Sequence, residues 1–221
     1  MRWSDFVRSL EREVDWSATD YDGTQAPVVE RILLEAAADR EILQERTEQI
    51  AADDALFKSL APHSNYPRIL MDKFVIHMDA EDRFRVRLHR FKTRLQNGGA
   101  VEKVHSHKWD CSTVILSGAY RERQFEVLDL DEEERTCRVE PLREHVLSTG
   151  MANSMSTGLA HQVVNESDTE PCVTLFVRGR SRRPNARIYD TDAGTFYNTY
   201  GPDRQLKVGL LHMGRVDPNF H

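Results

Sequence analysis

Three things are scarce in this sequence. Only 3 cysteines occur in 221 residues, Cys111, Cys137 and Cys172, an odd number with no short spacing between them. Neither a disulfide framework nor a zinc ribbon can be built from that set, so free thiols are expected. No stretch approaches the roughly 18 apolar residues of a membrane span, which leaves a soluble globular protein with no membrane partner as the expectation. Basic excess is missing too: 30 Lys and Arg against 36 Asp and Glu leave a net charge of −6. The basic residues are scattered, and without a broad positive face nucleic acid is not an expected partner. The opening Met1-Arg2-Trp3-Ser4-Asp5 carries an acid at once and no apolar run behind its first basic residue. It does not read as a secretory signal, and a cytoplasmic location is expected.

What is present suffices for one domain, or one domain with an appendage: 39% of the residues are hydrophobic, enough to bury a core at this length. The chain divides by texture near residue 60. Before it, Phe6, Val7, Leu10 and Val14 share one helical face behind a capping Ser4. The same periodicity returns over 26–50 through Val29, Ile32, Leu33, Ala36 and Leu43 after a polar break at 15–25. Residues 1–60 are thus expected as a helical segment. Beyond it, short β-prone runs at 74–78, 84–91, 113–128 and 173–177 are separated by Asn97-Gly98-Gly99, by 129–134 and by Gly150. Residues 61–221 are expected to be mainly antiparallel β, as a barrel or jelly roll with the helices packed outside.

Two charged clusters invite functional readings. Asp131-Glu132-Glu133-Glu134 is expected to be a solvated hairpin tip. The stretch Arg178-Gly179-Arg180-Ser181-Arg182-Arg183 offers a hint of anion binding, with a surface role as its alternative.

The stronger signal is in the histidines. Gly99 is followed after five residues by His105-Ser106-His107, and Gly118 closes the apolar run behind it. Residues two apart on a strand share a face, so both imidazoles point one way. Further on, Gly150 precedes Gly158, then His161, then Asn165, which delivers one more histidine from a second strand. Three imidazoles from neighbouring strands can converge on one face of a metal ion and leave the opposite face open for substrate and oxygen. His63, His77, His89, His145, His212 and His221 have no motif partner and receive no role. Trp109, close to His107, is expected in the core or the pocket wall.

With Gly99, His105, His107, Gly118, Gly150, Gly158, His161 and Asn165 the sequence resembles the cupin superfamily, whose two motifs pair a glycine-introduced His-x-His with a later glycine-introduced His and Asn. The resemblance runs from about Arg85 to Arg178 and implies a double-stranded β-helix with a metal inside, held by His105, His107 and His161. Two positions depart from the pattern. Ser156 stands where proline is usual, and Cys111 stands where many members have a glutamate ligand. Without that carboxylate a divalent metal on three neutral histidines keeps its full charge, which favours an anionic chelating ligand. Cys111 can alternatively be a fourth ligand itself, or a small buried hydrophobe.

A cysteine at that place resembles the cysteine dioxygenase branch of the cupins. The segment 158–171 with its Thr169-Glu170-Pro171, and the upstream Tyr66-Pro67-Arg68 matching that branch's Tyr-x-Arg, carry the same resemblance. It implies substrate binding by Tyr66 and Arg68, whose guanidinium matches a carboxylate in two hydrogen bonds, and a site role for Cys111. The branch's cross-linked tyrosine is missing near Arg178, which is expected as a second anion contact instead. The implied activity is that of a mononuclear non-haem iron(II) dioxygenase using O2 to turn a small carboxylated thiol into a sulfinate, acting as monomer or homodimer. Other divalent transition metals fit three histidines equally well. Two alternatives stay open: an oxygenase or tailoring enzyme acting on a carbon centre, and a non-catalytic cupin that binds a metal or small ligand.

Overall fold

The computed structural model describes residues 1–199, 210–211 and 214–215; His212 and His221 lie outside them. Four α-helices come first, α1 (Trp3–Glu13), α2 (Ala26–Ala38), α3 (Glu41–Ala52) and α4 (Asp54–Leu60). The strands follow as β1 (Met71–Met78), β2 (Arg85–Phe91), β3 (His105–Ser106), β4 (Trp109–Ser117), β5 (Ala119–Asp131), β6 (Thr136–Ser148), β7 (Ala152–Met155), β8 (Leu159–Val164), β9 (Cys172–Ser181), β10 (Ala186–Asp190) and β11 (Thr195–Thr199). Every strand pair is antiparallel. One sheet runs β1-β2-β9-β4-β7, and the others form a hydrogen-bonded ring in the order β10-β11-β6-β5-β8-β3. This is the expected mainly β jelly roll with helices on its outside. None of the described helices is long and apolar enough to cross a membrane.

Alternation along the strands sorts the five-stranded sheet into two faces. Ile76, Val86, Val114, Leu175 and Val177 turn outward and form one buried core with Phe6, Leu10, Val29, Ile32 and Leu33 of the helices. The helical segment therefore shares its core with the barrel. Tyr21 Oη, in a helical turn before α2, also meets Ser112 Oγ of β4 at 2.7 Å. The residues between those outward positions, among them His89, Cys111, Thr113, Thr174 and Phe176, face inward across the barrel and line its pocket.

Two boundaries differ from the periodicity. The helix expected over 26–50 breaks at Asp39, whose φ of −120° and ψ of 85° are not helical. Its carboxylate takes the amino terminus of Met1 at 2.7 Å, and the break lets Ile42 and Leu43 turn into the core already built by α2. The run 113–128 is two strands, β4 and β5, divided at Gly118. That glycine has a φ of +75°, and a Cβ there would lie 2.6 Å from the carbonyl oxygen of Pro171, so only glycine fits the reversal. The acidic run 131–134 is the tip between β5 and β6, exposed and held by Asp131 accepting from the amides of Glu133 and Glu134.

His77 sits among Trp3 and Phe84 with its Nε2 unpartnered among the described residues. Burial, helped by the Arg46 charge, pulls its pKa from 6.5 down to about 4. Protonation then favours the unfolded chain, so this contribution to stability is complete above pH 6.5 and lost as the pH falls toward 4. The variant His77→Phe is expected to lose less melting temperature between pH 7.5 and pH 5 than the parent. Equal losses would show that His77 is not part of the acid sensitivity.

Candidate metal centre

The three histidines meet at the point where the ring of strands closes. β3 is two residues long and pairs with β8 through a single register position, His105 opposite His161, while His107 follows directly in the loop to β4. The Nε2 atoms of His105 and His107 lie 3.1 Å apart, and those of His107 and His161 lie 3.4 Å apart. Adjacent donors on one ion with metal–nitrogen bonds of ~2.1 Å are separated by roughly 3.0 Å in octahedral and 3.4 Å in tetrahedral geometry.

The proton positions test whether these residues fit a cation. His161 Nδ1 lies 2.6 Å from Glu122 Oε1 and His105 Nδ1 lies 3.1 Å from the carbonyl oxygen of Lys103. A carboxylate and a carbonyl only accept, so both Nδ1 atoms carry a proton, and in the neutral ring it is Nε2 that presents the lone pair. At most one proton, on His107 Nε2, can lie among the three. Burial also keeps His105 neutral, moving its pKa to about 4, and holds His107 well below its ordinary value. With its own proton on Nδ1, His107 adds a third lone pair to this cluster, a donor set that fits a divalent cation, and no other described His, Cys, Asp or Glu joins the three at that spacing.

Each histidine of the cluster is fixed from behind. Glu122 is buried and accepts not only from His161 but from His145 Nε2 at 3.0 Å and Asn153 Nδ2 at 2.6 Å. Burial alone would raise its carboxyl, yet the hydrogen bonds from His145 and His161 bring it down to about 2. Arg183 donates to the carbonyl of His107 at 2.7 Å and to Ser106 Oγ at 2.5 Å, so it clamps the His-x-His segment. The basic run 178–183 is thus largely spent on internal partners: Arg182 pairs with Asp110 at 2.9 Å and Arg178 with Asp82 at 3.0 Å. Asn165 is buried and holds the turn after β8, accepting from Ser167 N and donating to the carbonyl of Glu170.

The histidines open onto a pocket between the two sheets. Trp109 forms part of its wall, with its ring 4.1 Å from that of His107, and Phe176 and Met155 add apolar surface. Cys111 lines it as well. Its Sγ lies 3.5 Å from His107 Nδ1, on the nitrogen facing away from the Nε2 cluster, and burial pushes its thiol pKa well up. Register places Cys111 opposite Arg178 on β9 and opposite Met155 on β7.

The structure does not bring Tyr66, Arg68 and Arg178 to the histidines. Tyr66 is 64% exposed and packs on Phe74 with tilted rings 5.3 Å apart. Arg68 is exposed and lines an outer groove that shares Met71, Lys73 and Glu102 with the pocket. Arg178 is buried, but Asp82 and the carbonyl of Gly179 already take its guanidinium. Conversely, most of the pocket wall carried no role in the sequence reading, including its polar residues Lys73, His89, Glu102, Glu122 and Thr174. Glu122 had a visible signal, since Tyr120, Glu122 and Gln124 share the buried face of β5 while Arg121 and Arg123 do not. An acid on the inward parity of a strand is rarely idle.

No protein-family model matches the sequence, and no curated protein does. Among solved structures the chain is similar to hydroxypropylphosphonic acid epoxidase from S. wedmorenis in complex with fosfomycin, at 13% identity and a TM-score of 0.39 over 52% of this chain and 53% of that one. It is similar to KdgF from Halomonas sp. at 15% identity and a TM-score of 0.37, over 53% of this chain and 87% of that one. A third is hydroquinone 1,2-dioxygenase PnpCD in complex with Cd2+ and 4-hydroxybenzonitrile, at 14% identity and a TM-score of 0.35, over 48% and 63%. The chain spans about half the length of the epoxidase. What the site can do is set by its own atoms.

Cys111→Ala is expected to keep full metal content, because the sulfur touches only the far nitrogen of His107. Intact-mass analysis of the denatured parent is expected to show no loss of two hydrogens, since no tyrosine stands opposite Cys111 in the sheet. Loss of metal in the variant would make the thiolate a ligand.

Proposed function

We propose that this chain is a metal-dependent oxygenase in which His105, His107 and His161 hold iron(II) and a small carboxylated thiol is oxidised to its sulfinate. The observation that carries this reading is the convergence of three Nε2 atoms at the spacing of adjacent ligands on one ion, facing a pocket inside the barrel. Iron(II) bound there supplies redox chemistry with O2 and open positions for the substrate beside it. The overall change is R–SH + O2 → R–SO2H: two sulfur–oxygen bonds form, the O–O bond breaks, and the proton is retained.

The chain's own residues arrange that event. Glu122, the carbonyl of Lys103 and Arg183 fix the three ligands before substrate enters, so little reorganisation remains. Trp109, Phe176 and Met155 keep water from the reacting sulfur. Cys111 packs against His107 and shapes the pocket floor. A second reading, oxidation at a carbon centre, is favoured by Arg178 standing opposite Cys111 where the thiol branch has its tyrosine.

The test is oxygen uptake by anaerobically reconstituted iron(II) protein over a panel of small thiols, with mass analysis for a gain of two oxygen atoms. Stoichiometric iron without uptake on any thiol would overturn the thiol reading, and uptake with a thiol-free metabolite would favour the second.

A further inference from the structure

The pocket wall contributed by the five-stranded sheet carries a row of polar groups. Lys73 on β1 is directly opposite His89 on β2, and His89 is directly opposite Thr174 on β9. The three therefore stand side by side on the inner face, spanning roughly 10 Å at a strand spacing of about 4.8 Å. All three line the pocket. Among the described residues, His89 Nε2 and Thr174 Oγ1 are buried without a hydrogen-bond partner, and half-buried Lys73 stands beside them between the pocket and the outer groove.

Buried polar groups in native structures are nearly always satisfied, so two orphans in register beside an ammonium inside one cavity point to something that satisfies them. Nearby carboxylates do not. Glu122 is engaged by His161, His145 and Asn153. Glu102 accepts from the amide of Val163 at 3.3 Å and lies 3.9 Å from His105 Nε2. Neither reaches ion-pair distance of Lys73 Nζ. Arg87, the next inward residue on β2, adds a second positive charge, with its guanidinium over the rings of Trp109 and Phe176 and its Nε unpartnered.

We infer that Lys73, His89 and Thr174 form the subsite for the anionic end of the substrate, a carboxylate held by the ammonium and by two neutral donors on neighbouring strands. The assignment rests on the proposed thiol chemistry for the other end of the molecule. It moves the anion contact from Arg68 in the outer groove to the inner face of the sheet. An ammonium facing a carboxylate in a site largely removed from water forms a charge-assisted hydrogen bond, and its loss weakens binding by about ten-fold or more.

The experiment uses zinc-loaded protein, which binds without turnover, and calorimetric titration with 3-mercaptopropionate and 1-propanethiol. The parent is expected to bind the carboxylated thiol at least ten-fold tighter. In Lys73→Met that preference is expected to fall to about two-fold or less, with zinc content and circular dichroism unchanged. Thr174→Val is expected to reduce it by a smaller factor. A preference that survives in Lys73→Met, or that vanishes in Arg68→Ala instead, overturns the assignment. If neither thiol binds the parent, the thiol reading falls, and metal-free protein then decides the subsite. Propionate is expected to slow reductive methylation of Lys73 selectively among the lysines, and an unprotected Lys73 overturns the subsite as well.

Discussion

His161→Ala is expected to remove stoichiometric metal while leaving the barrel folded. With that ring gone, two imidazoles from one short segment remain, and two neutral ligands compete poorly with water and buffer for a divalent ion. The fold should tolerate the change. The main core between helices and sheet contains none of the three histidines, and Glu122 keeps its bonds from His145 and Asn153 when the His161 donor is lost. A lost bond of this kind beside a water-accessible pocket costs ~1–3 kcal/mol. Elemental analysis of protein loaded with one equivalent and then desalted, together with thermal melting, checks both halves. Unchanged metal content would show that the three Nε2 atoms are not the metal site.

Glu122→Gln is expected to weaken metal binding by ~10–100-fold without changing any ligand. The carboxylate accepts from His161, His145 and Asn153 and lies 3.4 Å from Gln124 Nε2, so all its surroundings are donors. An amide keeps one acceptor and turns an NH2 toward donors that cannot receive it. His161 then loses either its tautomer or its orientation. Because the parent carboxyl lies at about 2 rather than 4.5, its contribution to stability is present above pH 4.5 and lost as the pH falls toward 2. The variant should lack that acid-side loss. Competition against a chelator of known affinity reads the first effect and melting between pH 5 and pH 3 reads the second. Unaltered affinity would mean that the ring of His161 is held by packing alone.

The histidine cluster was legible in the sequence because its pattern is local. His105 and His107 are two residues apart, and His161 follows a glycine that prepares its strand. The opposite wall was not legible for the converse reason. Lys73, His89 and Thr174 are brought together only by cross-strand register, and nothing within a short window of any of them marks it. His89 and His145, which have no motif partner, acquired surroundings the same way, one in the pocket wall and one on Glu122. The strand β6 escaped notice because most of its residues are exposed and its alternation is weak. The split of 113–128 depended on a steric fact at Gly118, the approach of Pro171 more than fifty residues away. Arg68 matched a local pattern, yet the chain around it runs along the outside of the barrel, with its amide held by Asp72.

Strand β3, which carries His105, is also the seam of the ring: it joins β8 through one residue pair and β10 through two. A cation bridging His105, His107 and His161 would therefore act as a clasp between the two ends of the sheet. Loading the site and closing the cylinder become one thermodynamic event, and binding energy at the histidines reappears as resistance to local opening in proportion to ligand concentration over its dissociation constant. Amides of residues 104–107, 159–164 and 186–190 would then be the ones whose hydrogen exchange slows on metal addition, while the helical layer, anchored to the other sheet, exchanges at an unchanged rate.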